Sequence, residues 1–497
     1  GRGVVVCCGP GREGVGLLVE TVDLAIIALY FLGSLGVGYW ASRQIKSADD
    51  FAVAGGHLKF PVLLGTLIAT AIGASATMGR AGKAYEVGIA IFLAGIAYAV
   101  GLYLFSYLAP ILKRMGIWSV PQALHLRYGR AFRVVAAVII IIALVGIYGA
   151  QLIAFGVVVV SLLPESGVSY EQAVIVAAII MVVYTTLGGL LAVAYTDLVQ
   201  AIIMIIAVGI ILPVLVVMDM GGPQVAINHL APPAGDWLGG MTVVYMLSIF
   251  LIDIPVSLLD VSLWQRTGAS KNVRHIQSGV RITAMAFVVW SFIVVSLGIF
   301  ASHLLPGLGD TPAGADGAVP MLVIEYMPPV IKGLCLAALL AIIMSTADTV
   351  LLIGGTTMSW DIVSQFRGDT DGESKIKIAR WTVVVTGAIG ALFAIYVRDV
   401  FEVLLLAFAI YVSALFVPTM LAIFWKKATT AGAMTSAIAA FLSVTYLYMR
   451  KFAGNLSELI EPVVVSLALS LVVMIVVSLM TYREDTASER LIDRAGG

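Results

Sequence analysis

The sequence predicts an all-α, polytopic membrane protein, and three observations carry that prediction. Apolar side chains fill 61% of the 497 positions and charged ones only 12%, where soluble domains run at about half and about a quarter. The apolar residues gather into about thirteen stretches of roughly 20 residues or more, the length of helix that crosses a bilayer. The basic residues fall in alternate loops between those stretches, the pattern of a chain threaded through a membrane. A mean hydropathy of +1.05 agrees.

The stretches lie near 21–43, 60–80, 86–113, 132–163, 171–190, 192–217, 241–264, 281–304, 329–362, 377–397, 399–425, 430–449 and 461–482. Residues 1–20, rich in glycine, read as a disordered extracellular tail. The first span is too long for a signal peptide, and Trp40-Ala41-Ser42-Arg43 ends it with a stop-transfer charge. Several later stretches exceed about 25 residues and are expected to tilt or kink. The fifth and sixth are divided at Gly188-Gly189. Arg43, Lys46 and Lys59 follow the first span, and Lys113, Arg114, Arg127, Arg130 and Arg133 follow the third. Arg266, Lys271, Arg274 and Arg281 follow the seventh, Arg367, Lys375, Lys377 and Arg380 the ninth, and Lys426 and Lys427 the eleventh. Arg483, Arg490 and Arg494 lie on the last segment, 483–497, whereas loops 218–240 and 305–328 hold no Lys or Arg. Positive loops stay in the cytoplasm, so the amino terminus is expected outside and the carboxyl terminus inside a cell membrane. Arg450 and Lys451, in a short outer loop, run against the pattern.

Several chemistries are disfavoured at once. The formal charge is zero, from 29 basic and 29 acidic side chains, and no basic stripe extends beyond the loops, so nucleic acid is not an expected partner. Three cysteines, Cys7, Cys8 and Cys335, make neither a disulfide framework nor a four-ligand zinc site. The five histidines all fall in loops or at segment ends, no HExxH occurs, and Gly79-Arg80-Ala81-Gly82-Lys83-Ala84 lacks the spacing and hydroxyl of a P-loop. An enzyme is not expected, and no cofactor is called for.

Two spans depart from plain helices. The second, from Thr66 to Arg80, is dense in Gly, Ala, Ser and Thr. It suits either close helix packing or an unwound segment whose carbonyls coordinate an ion. The seventh reads Phe250-Leu-Ile-Asp253-Ile-Pro255-Val-Ser-Leu-Leu-Asp260. Proline removes a backbone donor, and an acid at membrane depth must face a cavity or a partner. The two spans lie five apart, so spans 2–6 and 7–11 form two inverted halves of five helices with a broken helix leading each, the mark of a transporter site. The expected organisation is an accessory helix at 21–43, a first repeat at 60–217, a second at 241–425, and two accessory helices at 430–482. In the ninth span Ser345, Thr346, Asp348 and Thr349 cluster within about one turn and offer hard oxygens to a cation, unless the hydroxyls bond back to their own helix. Asp197 has no Lys or Arg nearby in sequence and is either a second cation stop or an interfacial cap.

Three motifs in order carry a resemblance. Tyr-Thr-Thr-Leu-Gly-Gly-Leu-Leu-Ala-Val-Ala-Tyr-Thr-Asp-Leu-Val-Gln over 184–200, Trp264-Gln265-Arg266 followed by Ala-Ser-Lys at 269–271, and Met344-Ser345-Thr346-Ala347-Asp348 resemble the signatures of the sodium/solute symporter family. The likeness runs from about residue 24 to 482. That family includes transporters of proline, sugars, monocarboxylates, pantothenate, sialic acid and iodide, and its fold is similar to LeuT-type transporters. The resemblance implies a sodium site built from the carbonyls of Ala69, Ile72 and Ile342 and the hydroxyls of Ser345 and Thr346, with isoleucine at 342 where the family often has alanine. It implies a second cation site at Asp197, Ser345, Asp348 and Thr349, where the carboxylate of Asp348 strengthens sodium binding or takes a proton instead. It places Ala76, Arg80 and Asp260 beside the solute, and Asp253 joins them as an acid at membrane depth. Arg80 suits a carboxylate, unless it snorkels to the outer surface. Asp260 suits an ammonium group or neutralises Arg80.

The expected function is sodium-coupled symport of a small organic solute, an amino acid such as proline or a monocarboxylate, by alternating access. Sodium, the solute and the lipid bilayer are its partners. A proton-coupled symporter using Asp197, Asp253 or Asp348 is the alternative, ahead of a channel or a membrane-embedded enzyme.

Overall fold

The computed structural model describes residues 19–162, 168–230, 238–311, 314–368, 371–397, 400–457 and 460–482. The tail expected at 1–20 (save its last two residues) and the basic residues at 483–497 lie outside them. Eleven helices among the described residues are long and apolar enough to cross a membrane. Two shorter apolar helices, Phe60–Ala71 and Tyr170–Val183, supply the second and fifth spans. The expected order of about thirteen spans is thereby met. Outside the helices, the described residues show an isolated bridge between Leu58 and Ser270.

The ninth span, Ile331–Thr356, is the axis of the molecule. Every residue of its most apolar 18-residue stretch is buried, and it packs on helices of the first, second, fourth, fifth, sixth and tenth spans. Peripheral helices behave oppositely: Leu29 and Leu32 on the first span, Thr21–Ser42, stand 70% and 67% exposed. On a helix of this length and apolarity, such exposed side chains suit a face turned to lipid. Small residues let the inner helices close up, as at Gly65, where an added Cβ would lie 2.8 Å from Leu198 Cα.

Both expected helix breaks are present. The second span stops at Ala71, Ile72 takes φ −92° and ψ 71°, and a π-helical turn over Ser75–Gly79 restarts it into Arg80–Val87. The seventh runs Val243–Leu259 and restarts as Val261–Ala269, with the break at Asp260 (φ −51°, ψ 106°). Pro255 lies inside the unbroken first part. The proline removes a donor, but the interruption comes five residues later, where Asp260 caps the helix that follows. The fifth and sixth spans are one continuous run, Tyr170–Ile206, that turns at Gly189 (φ 53°, ψ −173°), within the Gly-Gly pair.

Gly189 is held there by its lack of a side chain: an added Cβ would sit 3.0 Å from both Cα and the carbonyl oxygen of Phe51. Gly189→Ala is expected to destabilise the protein by about 1–3 kcal/mol through backbone strain alone, read as a lowered melting temperature in detergent. Gly36→Ala, on the first span with open space around it, is expected to leave it unchanged or slightly raised.

Candidate functional site

The break in the second span abuts the ninth span. Ser345 Oγ donates to the carbonyl of Ile342 on its own helix at 3.0 Å and to that of Ala69 across the interface at 3.1 Å. Thr346 Oγ1 is buried with no hydrogen-bond partner among the described residues. It faces Gly73, whose added Cβ would lie 2.6 Å from it. Ile72, between Ala69 and Gly73, has left helical geometry, which turns its carbonyl away from the helical ladder. The five residues expected to hold sodium thus meet at the break, and their oxygens are neutral and hard. An unused buried hydroxyl among carbonyls is a donor set that fits a small hard cation.

The second expected cation set is arranged differently. Asp197 has no cation close in sequence, but Arg266 reaches it from the far side of the fold. The guanidinium Nη2 donates to Asp197 Oδ2 at 3.2 Å, Thr70 Oγ1 at 2.6 Å and Thr349 Oγ1 at 2.9 Å, while Nε donates to Thr66 Oγ1 at 2.9 Å. Thr66 in turn donates to Asp197 at 2.5 Å, and both charged side chains are fully buried. Asp197 and Thr349 therefore share a guanidinium. Asp348 instead accepts from Thr185 at 3.0 Å, and its second oxygen is buried without a partner among the described residues. Ser345 is turned toward Ala69.

A cavity of about 120 Å³ opens between the two broken helices and the ninth span. Its walls include all four expected solute-facing residues, Ala76, Arg80, Asp253 and Asp260, together with Thr346 and Thr349. Arg80 is only 6% exposed and lies over the Phe287 ring at 4.9 Å, so it does not snorkel to the surface. Its partner is Asp253, at 4.0 Å, rather than Asp260. Asp260 Oδ1 accepts from the backbone N–H of Ser262 at 2.8 Å and of Leu263 at 3.4 Å, and Oδ2 accepts from Tyr98 at 3.2 Å. A carboxylate at the start of a helix is stabilised by the exposed N–H groups and the dipole. It needs no ammonium partner.

Three contributors escaped the reading along the chain. Gln151 accepts from the backbone N–H of Ala74 at 3.2 Å and lines the cavity with its Nε2 unpartnered. As an amide alone in an apolar span, it carried the signal of an expensive polar group at membrane depth. Tyr98 and Tyr411 were hidden because aromatic residues in spans are common. Tyr98 binds Asp260, and Tyr411 donates to the Leu259 carbonyl at the seventh-span break.

Comparisons with known proteins bear on the fold and the family. The family model described as the sodium:solute symporter family matches residues 51–440. A sodium/glucose cotransporter of Vibrio parahaemolyticus is 25% identical over 93% of this chain and 91% of its own length. A sodium/sialic acid symporter of Aliivibrio fischeri is 24% identical over 85% of this chain and 87% of its own. Among solved structures, a Na+-coupled sialic acid symporter in a substrate-bound outward-open state superposes with a TM-score of 0.76 at 20% identity, covering 93% of this chain and 98% of that one. A nucleobase-cation-symport-1 family transporter in a closed conformation gives 0.58 at 14% identity over 89% and 98%. At such identities the structures speak for the fold.

Removing one partner of a buried ion pair strands the other charge, a loss of about 3–5 kcal/mol. Arg266→Ala is therefore expected to lower the melting temperature sharply. Arg266→Met combined with Asp197→Leu is expected to recover most of that loss, because no bare charge is left. Thermal unfolding of the three proteins in detergent checks both.

Proposed function

The chain belongs to the sodium:solute symporter family, and from that premise we propose that it imports a small carboxylate-bearing solute, an amino acid such as proline or a monocarboxylate, by alternating access. It is a multi-pass membrane transporter rather than an enzyme, and its coupling is to sodium. In our reading the amino terminus is outside and the carboxyl terminus cytoplasmic, which the bias of basic residues toward alternate loops supports.

The observation that supports the solute class is Arg80. It is buried in the wall of the cavity, yet its polar contacts are long: 4.0 Å to Asp253 and 3.4 Å to Ser291. Most of its five forked donors remain for a ligand, and a carboxylate is the group that matches the fork. Phe287 and Tyr98 flank the guanidinium and supply apolar surface for the rest of a small solute.

In the proposed cycle, sodium from outside is held by the carbonyls of Ala69, Ile72 and Ile342 and the hydroxyls of Ser345 and Thr346. Because two of these residues lie on the broken second span and three on the ninth, the ion ties the two together and favours the arrangement that accepts solute. Solute then binds in the cavity, the helices rearrange, and both ligands leave inside. Each sodium brings about 2.3 kcal/mol per 100 mV of membrane potential.

Ser345→Ala and Thr346→Ala each delete one ligand and are expected to raise the sodium concentration for half-maximal uptake at least tenfold while the protein still folds; normal uptake at low sodium by both variants sinks the ion site. Arg80→Ala is expected to abolish response to carboxylate-bearing solutes and spare neutral ones. A melting-temperature screen of purified protein in sodium and in potassium, against amino acids, monocarboxylates and sugars, tests the whole reading, since a ligand that binds the folded state raises its stability. A carboxylate-dependent shift that needs sodium supports it. A shift indifferent to sodium and governed by pH points to proton coupling.

A further inference from the structure

Away from the central cavity, a groove of about 630 Å³ runs between the fourth span, Arg130–Leu162, and the tenth, Gly372–Tyr396. Its two ends differ in chemistry. One end is rimmed by Arg367, Ser374 and Lys377. Arg367 and Lys377 are exposed and make no ion pair with another described residue. Asp371, which begins the tenth span, is not in the groove and is engaged in capping Ser374 N. From that rim the groove becomes apolar, with Trp381, Val385 and Ile389 on one wall and Ile141 and Val145 on the other. Trp381, Val385 and Ile389 are 67%, 53% and 49% exposed, so the groove is open along its length to whatever surrounds the helices. From Lys377 to Ile389 the tenth span rises about 18 Å, the reach of an extended acyl chain.

We propose that this groove binds an anionic phospholipid, its phosphate on Arg367, Lys377 and Ser374 and one acyl chain between the fourth and tenth spans. A basic pocket between helices at the cytoplasmic side recognises acidic headgroups, and the attraction comes to about one kcal/mol-scale step, roughly fivefold in affinity, for each basic side chain. Trp381 stands just below the rim, at the level where an indole meets headgroups. Charge selects the occupant: a zwitterionic lipid presents the same phosphate but adds a cation beside two others.

The test uses the full-length protein in detergent micelles doped with phosphatidylglycerol, with phosphatidylcholine, or with neither, plus an arm with inorganic phosphate. Melting temperature and lipids retained in native mass spectra are the readouts. Phosphatidylglycerol is expected to bind at least tenfold more tightly than phosphatidylcholine, and Arg367→Gln with Lys377→Gln to erase that preference. Both side chains are exposed and pair with no other described residue, so the lipid-free melting temperature of the double variant should match that of the parent. Val385→Trp, which fills the groove and leaves the rim intact, is expected to weaken retention of both lipids. Equal binding of the two lipids overturns the proposal, as does a preference that survives the double variant. An equal shift from inorganic phosphate also overturns it, since the rim would then be a free-anion site.

Discussion

A backbone inside a bilayer has no water to bond to, so every interruption of a helix there has to be answered by a side chain from somewhere else. Much of the interior of this protein is arranged around two such interruptions. At the first, between Ala71 and Ser75, the Ala69 carbonyl accepts from Ser345, and the Ala74 N–H donates to Gln151. At the second, Asp260 pairs the N–H groups of Ser262 and Leu263 with its own carboxylate, while Tyr411 donates to the Leu259 carbonyl. Apart from Asp260 itself, the answering residues come from the fourth, ninth and eleventh spans. The breaks therefore dictate which helices must meet, and the cavity lies where they meet.

The same constraint explains the burial of the ninth span. It faces the first break with Ser345 and Thr346 and the Asp197–Arg266 pair with Thr349. No face of it is left for lipid. Arg266 belongs to the second half of the broken seventh span, so its bonds to Thr66 and Thr70 tie the two broken helices directly to one another. A guanidinium suits this place because its planar fork meets several acceptors at once, which an ammonium on a flexible stem does less well.

What the sequence disclosed and what it concealed divide along physical lines. Span number, the Gly-Gly turn and the two broken helices are local properties: apolar length, a residue without a Cβ, a run of small residues, acids beside a proline. The partners of charged groups are not local. Asp197 looked solitary because Arg266 is far along the chain, although Arg266 was visible as part of a motif. Asp253 and Asp260 are seven residues apart and look alike in sequence, yet one pairs with Arg80 and the other caps a helix. The ψ of 106° at Asp260 and the neighbours Arg80 and Tyr98 separate their roles, and neither residue type nor spacing encodes them. The proline marked the right span, and the break itself falls at Asp260, since a helix tolerates a missing donor when neighbours pack around it.

The loose pairing of Arg80 with Asp253 bears on how a solute would be chosen. A bidentate ion pair would close the fork, and a ligand would have to break two strong bonds to enter. At 4.0 Å the pair neutralises charge across the cavity while leaving donors open. A carboxylate that takes those donors also draws the guanidinium's compensation away from Asp253, which is then a buried anion short of a partner. A solute carrying its own ammonium group would repair that deficit by turning the ammonium toward Asp253, whereas a simple monocarboxylate would leave it unrepaired. Asp260 does not offer the same opening, because its oxygens already accept from two backbone N–H groups and from Tyr98. On the proposed reading, the choice between an amino acid and a monocarboxylate would rest on how well Asp253 tolerates losing Arg80.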